Sequence, residues 1–276
     1  MPETLKKRIL YVTGLPRSGS TLLCQLLDHH PDLYSLGHSS PLCPALMGLR
    51  HSLSDNNFLL SQLDVDFELG YDRLLNAYRG FINGWFAEAD TLWVVDKNRG
   101  WLSAIETVHH LDPDFRMVVC VRELGQIYGS VEAQHQKTLL LDFPDHLANL
   151  SRYGRADKLF ADGGVIGAPL RAIEALQEVN TSLQERLYYV VFEHLMTEPE
   201  AVMAGVYDWL GVKAAAFNPQ NLTVKPHESD SYYRFKYRHR TYAKISPPAI
   251  HDIPPRIQRE LQKNFGWYYQ TFYPDF

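Results

Sequence analysis

Between a short β-branched run, Ile9–Thr13, and an apolar helical run that opens at Ser20 lies Gly14-Leu15-Pro16-Arg17-Ser18-Gly19-Ser20-Thr21. Two glycines in such a turn let backbone N–H groups point into one concavity, and a helix start adds positive potential. That combination can cradle a phosphate. The nucleotide-triphosphatase form of the loop is GxxxxGK[ST]. Both glycines and Thr21 fit it, but Ser20 stands where the lysine would be, and a cation lies inside the loop at Arg17. Without that lysine and its magnesium partner, ATP or GTP hydrolysis is disfavoured. An inert strand–helix turn would not require strand, glycines, hydroxyls and cation to coincide. A second concentration of charge is Arg234, Lys236, Arg238, Arg240 and Lys244, interleaved with Phe235 and Tyr237 and free of acidic residues. In a chain of net charge −5, a basic segment points to a local anionic ligand. The overall charge argues against a general nucleic-acid or anionic-membrane binder.

Gly-Leu-Pro-Arg-Ser-Gly-Ser-Thr-Leu-Leu resembles the 5′-phosphosulfate loop of the sulfotransferases that use 3′-phosphoadenosine-5′-phosphosulfate (PAPS), whose pattern is Pro-[Arg/Lys]-Ser-Gly-[Ser/Thr]-Thr. The resemblance implies PAPS as co-substrate, held by Pro16, Arg17, Ser18, Gly19, Ser20 and Thr21. In that family an arginine ending a later strand and a serine eight residues on hold the 3′-phosphate. Arg122 and Ser130 match that spacing and context, after Val118-Val119-Cys120-Val121. A strand end would deliver Arg122 as a bidentate phosphate fork, and the next helix would bring back a hydroxyl. Tyr189-Val190-Val191-Phe192-Glu193-His194-Leu195-Met196, with Pro199 and a helix to Trp209-Leu210-Gly211, is similar to a third family segment. Phe192 replaces its tyrosine, which leaves adenine contact and a core role both open. The family also covers its nucleotide with a late basic loop, which the resemblance assigns to Arg234, Lys236, Arg238 and Arg240. An acidic acceptor would be the other partner for that stretch.

Sulfuryl transfer is an in-line displacement that needs one base and fixed cations. The small-molecule cytosolic branch of the family takes its base from a Lys-Thr-His segment that is absent here, where Asp96-Lys97-Asn98-Arg99 occupies the equivalent stretch. The tyrosylprotein branch uses a glutamate shortly after a His-Pro-[Asp/Glu] turn. Here His30-Pro31-Asp32 closes the first helix, and counting forward without a gap places His38 at that glutamate's position. A neutral imidazole suits a base at pH 7. His38 is therefore the expected base, in a loop at the C-terminal edge of the sheet. Lys97 resembles the lysine of the tyrosylprotein branch's Asn-Lys-Asp-Pro segment, and Lys97 and Arg17 are expected to cover the transferred group. His29, His109, His110 and His135 read as helix-end or surface residues, and Asp96 is the next candidate for the base.

The elements that must position these residues are apolar runs at Ile9–Thr13, Leu33–Leu36, Leu92–Val95, Arg116–Val121 and Leu187–Phe192. Helical patterns span Ser20–His29, Asn56–Ala89 with a break near Gly70, Leu102–His110, Leu124–His135, Leu170–Gln184, Glu198–Leu210 and Pro255–Asn264. Continuous apolar strands alternating with helices predict a three-layer P-loop-like α/β fold, a central parallel sheet flanked by helices. The expected organisation is one domain over residues 1–276, with a poorly patterned stretch at Leu139–Gly167. Hydrophobic content of 45% and charged content of 21% are those of an ordinary globular enzyme. Cys24, Cys43 and Cys120 have no zinc-like spacing and read as reduced structural thiols, so no metal is expected. No apolar leader or membrane-length segment stands out, which predicts a soluble, cytoplasmic protein. The expected partner is a small-molecule or peptide hydroxyl acceptor, without nucleic acid or integral membrane association, and a homodimer is left open. The competing readings are a P-loop kinase or nucleotide triphosphatase, and a non-catalytic nucleotide-binding protein.

Overall fold

The computed structural model describes residues 3–138, 147, 149–179, 181–224, 228–229, 238–239 and 241–276. Five strands, β1 (Arg8–Gly14), β2 (Leu33–Ser39), β3 (Trp93–Lys97), β4 (Arg116–Val121) and β5 (Leu187–Val191), form one sheet in the order β2-β3-β1-β4-β5. Every pairing in it is parallel. The helices are α1 (Ser20–Leu27), α2 (Leu42–Ser54), α3 (Asn57–Val65), α4 (Phe67–Trp85), α5 (Ile105–Leu111), α6 (Leu124–Thr138), α7 (Arg152–Phe160), α8 (Gly167–Gln177), α9 (Thr181–Gln184), α10 (Phe192–Thr197), α11 (Pro199–Leu210), α12 (Pro255–Asn264) and α13 (Gly266–Phe272). A 3₁₀ turn runs from Arg99 to Ala104, and β6 (Glu228–Ser229) pairs with β7 (Arg238–His239) antiparallel. No helix among the described residues is long and apolar enough to cross a membrane.

The alternation of side chains along β1 divides the core. Ile9 and Tyr11 pack with Trp101, Val108 and Ile127 on one face, while Leu10 and Val12 pack with Leu23, Leu27, Met203 and Tyr207 on the other. A sheet covered on both faces has no polar side to present, which is why its strands read as continuous apolar runs.

Two helix expectations and one strand expectation are corrected. The break in the long stretch falls at Asp66, whose extended backbone ends α3 and whose carboxylate caps α4 by accepting from Leu69 N at 3.1 Å. Gly70 lies inside α4, where a Cβ would come within 2.8 Å of Leu63 Cδ2. That glycine serves the close approach of α3 to α4. The pattern over Leu170–Gln184 splits into α8 and α9, and Phe192 begins α10 instead of ending β5.

Gly14 closes β1 at φ 129°, and a Cβ there would stand 2.1 Å from the Cys120 carbonyl oxygen. The next amide, Leu15 N, donates to that same oxygen at 2.9 Å. Gly14→Ala is therefore expected to destabilise the protein by at least about 2 kcal/mol, through both strain and overlap. Urea unfolding of the variant against the parent measures it.

Candidate functional site

Beyond Gly14 the chain makes a tight turn. Ser18 Oγ donates to Leu15 O at 2.6 Å, and Arg17 and Gly19 both adopt left-handed backbone, at φ 61° and 84°. For arginine that conformation costs on the order of 1 kcal/mol. Gly19 caps α1 and has no side chain to take up the helix's first N–H groups. Such an end attracts anions through those amides and the helix dipole. Glycine is required at 19 for a second reason, since a Cβ would lie 2.6 Å from the Phe192 ring.

Three cationic side chains and one hydroxyl converge on this turn. Lys97, the last residue of β3, is 7% exposed, and its Nζ donates to Thr21 Oγ1 at 3.0 Å. Arg122 follows β4 directly and is 6% exposed. Its Nη1 donates to the Arg17 carbonyl at 3.0 Å, and its guanidinium carbon stands 4.4 Å from the centre of the Phe192 ring. Among the described residues its buried Nε has no hydrogen-bond partner; Glu193 Oε1 lies 4.0 Å away. Burial lowers the Arg122 pKa, Glu193 opposes that, and Arg17 adds to it; the group stays charged. Arg17 Nε donates to Ser130 Oγ at 3.1 Å, so the loop cation, Arg122 and Ser130 form one connected cluster. Phe192 is thus the stacking platform of Arg122 and the neighbour of Gly19. Arg234, Lys236 and Arg240 lie outside the described residues, and Arg238 is described only as backbone in β7.

His38 is not in a loop. It is the penultimate residue of β2 and half-buried. Gly37, at φ 74°, precedes it, and the register with β3 shifts between Ser35 and Ser39. A glycine bulge of this kind re-aims the following side chain. The strand is pinned again by Ser40 N, which donates to Lys97 O at 2.8 Å. The His30-Pro31-Asp32 turn before it is fixed by a buried imidazole. His30 Nδ1 accepts from Asp32 N at 3.1 Å, so Nε2 is the donor to Lys213 O at 2.7 Å. His135, expected at the surface, is 2% exposed in α6.

Asp96 and Lys97 illustrate the strand's alternation. Lys97 reaches α1, whereas Asp96 faces the opposite side and accepts from Trp101 Nε1 at 2.7 Å. Its Oδ2 is buried without a partner of good geometry among the described residues. Burial pushes the Asp96 pKa up to about 6, against the pull of Ser40 and Trp101. This carboxylate is withdrawn from the cationic cluster. Residues that sequence reasoning passed over complete the surroundings: Glu123 and Glu193, each directly after a strand-end candidate, and Tyr268, Tyr269 and Tyr273. The adjacency of acids to Arg122 and Phe192 was a usable signal, whereas the tyrosines carried none locally.

A model of the sulfotransferase family matches residues 10–216, which takes in the loop, Lys97, Arg122, Ser130 and Phe192. The chain belongs to the sulfotransferase family. Solved structures of similar fold include the sulfotransferase domain of the curacin biosynthetic pathway, at 19% identity over 95% of this chain and 98% of that one, with a TM-score of 0.52. The sulfotransferase domain of the Synechococcus PCC 7002 olefin synthase matches at 21% identity over 95% and 96%, with a TM-score of 0.50. A sulfotransferase from Alicyclobacillus acidocaldarius matches at 14% identity over 94% and 92%, with a TM-score of 0.52. At these identities the likeness is one of fold, and it lends no support to the tyrosylprotein branch in particular. A search of curated protein sequences finds no match.

In this sulfotransferase the raised Asp96 pKa sets a pH dependence. A carboxyl that titrates near 6 when folded and near 4 when unfolded adds most stability below about pH 4 and loses it as pH rises through 6. Asp96→Asn keeps an acceptor for Trp101 and removes the charge. The variant should match the parent below about pH 4 and exceed it by on the order of 2–3 kcal/mol above pH 6. Thermal unfolding across pH 4–8 checks it; a constant difference would reject the assignment.

Proposed function

We propose that this sulfotransferase moves a sulfuryl group from PAPS to a hydroxyl acceptor, releasing adenosine 3′,5′-bisphosphate, and that it does so without a divalent ion. One observation carries the reading: Lys97 Nζ sits on Thr21 Oγ1. In nucleotide triphosphatases that loop hydroxyl binds magnesium. Here a side-chain ammonium takes the metal's place, and the nearest strand carboxylate, Asp96, faces away towards Trp101. Both observations count against the kinase-like alternative, which would draw its magnesium contacts from that hydroxyl and a strand carboxylate.

The cluster suits a ligand with phosphate at two ends. The α1 amides, Arg17, Ser20, Thr21 and Lys97 would hold the 5′-phosphosulfate, and Arg122 with Ser130 the 3′-phosphate. Arg122's unpartnered Nε supports that fit. PAPS supplies the activated sulfuryl group and a phosphate leaving group. In the transfer the acceptor oxygen bonds to sulfur, the bond from sulfur to the bridging oxygen breaks, and the acceptor's proton passes to His38. Lys97 and Arg17 offset the charge that gathers on the departing oxygen. The spacing from Arg17 and the Gly37 bulge at the same sheet edge support His38 as the base. A cavity of about 320 Å³ lined by Leu53, Leu59, Leu63, Leu74 and Tyr78 lies at the far end of α2. Helix rise puts that end ~18 Å from Leu42, which is too remote for it to seat the reacting hydroxyl.

Purified protein should bind adenosine 3′,5′-bisphosphate and consume PAPS in EDTA with a phenol or alcohol acceptor. Activity lost in EDTA and restored by magnesium would overturn the metal-free reading. His38→Ala should lower kcat by about 10²–10⁴-fold with nucleotide affinity nearly unchanged, and the acidic limb of the kcat/KM profile should disappear. Retention of most activity would move the base elsewhere.

A further inference from the structure

The hydroxyls of three tyrosines near the C-terminal end converge on the strand ends that carry the proposed 3′-phosphate site. Tyr268 is 0% exposed, and its hydroxyl donates to the Arg122 carbonyl at 2.8 Å while accepting from the Arg122 amide at 3.1 Å. β4 has ended at Val121, so a single phenol takes over where the ladder stops, bonding both backbone polar groups of one residue. Tyr269 donates to Glu123 Oε1 at 2.7 Å, and Tyr273 donates to Glu193 Oε2 at 2.7 Å. Packing alone does not call for these hydroxyls. The Tyr268 ring already lies 5.0 Å from Phe272 and edge-on to Trp267 at 5.5 Å, and phenylalanine would fill the same space.

Glu193 is the more telling partner. Its Oε2 is held by Tyr273, its Oε1 accepts from Glu123 N at 3.4 Å, and that Oε1 stands 4.0 Å from Arg122 Nε, beyond hydrogen-bond reach. The carboxylate thus offsets the buried guanidinium charge without occupying Nε. We propose that Tyr268 and Tyr273 are positioning residues for Arg122: Tyr268 fixes its backbone, and Tyr273 restrains Glu193 from closing on its side chain. The inference rests on the sulfotransferase reading above, in which Arg122 receives the 3′-phosphate. In the neutral phenol the donor is permanent through ordinary pH, because burial raises the pKa of both tyrosines well above the usual range.

Calorimetry with two nucleotides tests this. Tyr268→Phe keeps the ring and should weaken adenosine 3′,5′-bisphosphate by about tenfold, leaving adenosine 5′-phosphate within about twofold. Tyr273→Phe, at a partly exposed position, should show the same selectivity, because a released Glu193 competes with phosphate for Arg122. Adding Glu193→Gln to Tyr273→Phe should restore bisphosphate affinity to within about threefold of the parent, a rescue that a purely structural role for Tyr273 does not supply. Unchanged bisphosphate affinity in folded Tyr268→Phe, equal weakening of both nucleotides, or absence of the Glu193→Gln rescue would each overturn the proposal. If Tyr268→Phe does not fold, the Tyr273 pair alone decides. Failure of the parent itself to bind the bisphosphate would instead overturn the functional reading, so the two failures are told apart.

Discussion

A parallel sheet delivers the carboxyl ends of its strands to one edge, and everything chemical in this protein hangs on that geometry. β1 lies between β3 and β4, with Val12 opposite Lys97 and Gly14 opposite Cys120. The loop after β1, the lysine ending β3 and the arginine following β4 therefore emerge side by side. The fit is closest at Gly14, where no side chain separates the turn from the Cys120 backbone. Leu15 N reaches Cys120 O only because of that contact, and the carbonyl of Arg17 comes within reach of Arg122 three residues later.

The electrostatics follow from the same crowding. Arg17 and Arg122 face each other across one hydrogen bond to backbone, and their mutual repulsion adds to the cost of burying Arg122. Glu193 offsets this only from 4.0 Å. Such an arrangement favours an anion over any neutral ligand of the same shape. The stacking of Arg122 on Phe192 adds a contact that does not use up its N–H donors. Planar guanidinium suits this double duty better than an ammonium would.

How much of this was legible in the sequence depended on distance along the chain. The loop motif is contiguous, and its glycines, cation and hydroxyls announce themselves together. Lys97 and Arg122 were legible because each follows an unbroken apolar run whose end is easy to place. Gly70 misled because a glycine that admits a neighbouring helix looks the same in sequence as one that breaks its own. His38 was assigned to a loop because the apolar run ends at Leu36, before Gly37, although a glycine within a strand can equally mark a bulge. Phe192 was left between two roles because its partners, Gly19 and the Arg122 guanidinium, lie beyond the ends of other strands. Tyr268 was invisible for the same reason in stronger form, since its partner lies 146 residues away.

The bulge at Gly37 has a bearing on solubility as well as chemistry. Among the described residues β2 is an outer strand of the sheet, with a hydrogen-bonded neighbour only in β3. An outer strand offers a row of unpaired amides and carbonyls to any passing extended chain, and proteins commonly spoil that template with a kink. Here the left-handed glycine interrupts the strand's regularity between Ser35 and Ser39. A foreign strand that began pairing along Leu33–Ser35 would lose register at the kink. The backbone irregularity beside His38 thus also blunts this border of the sheet against edge-to-edge aggregation.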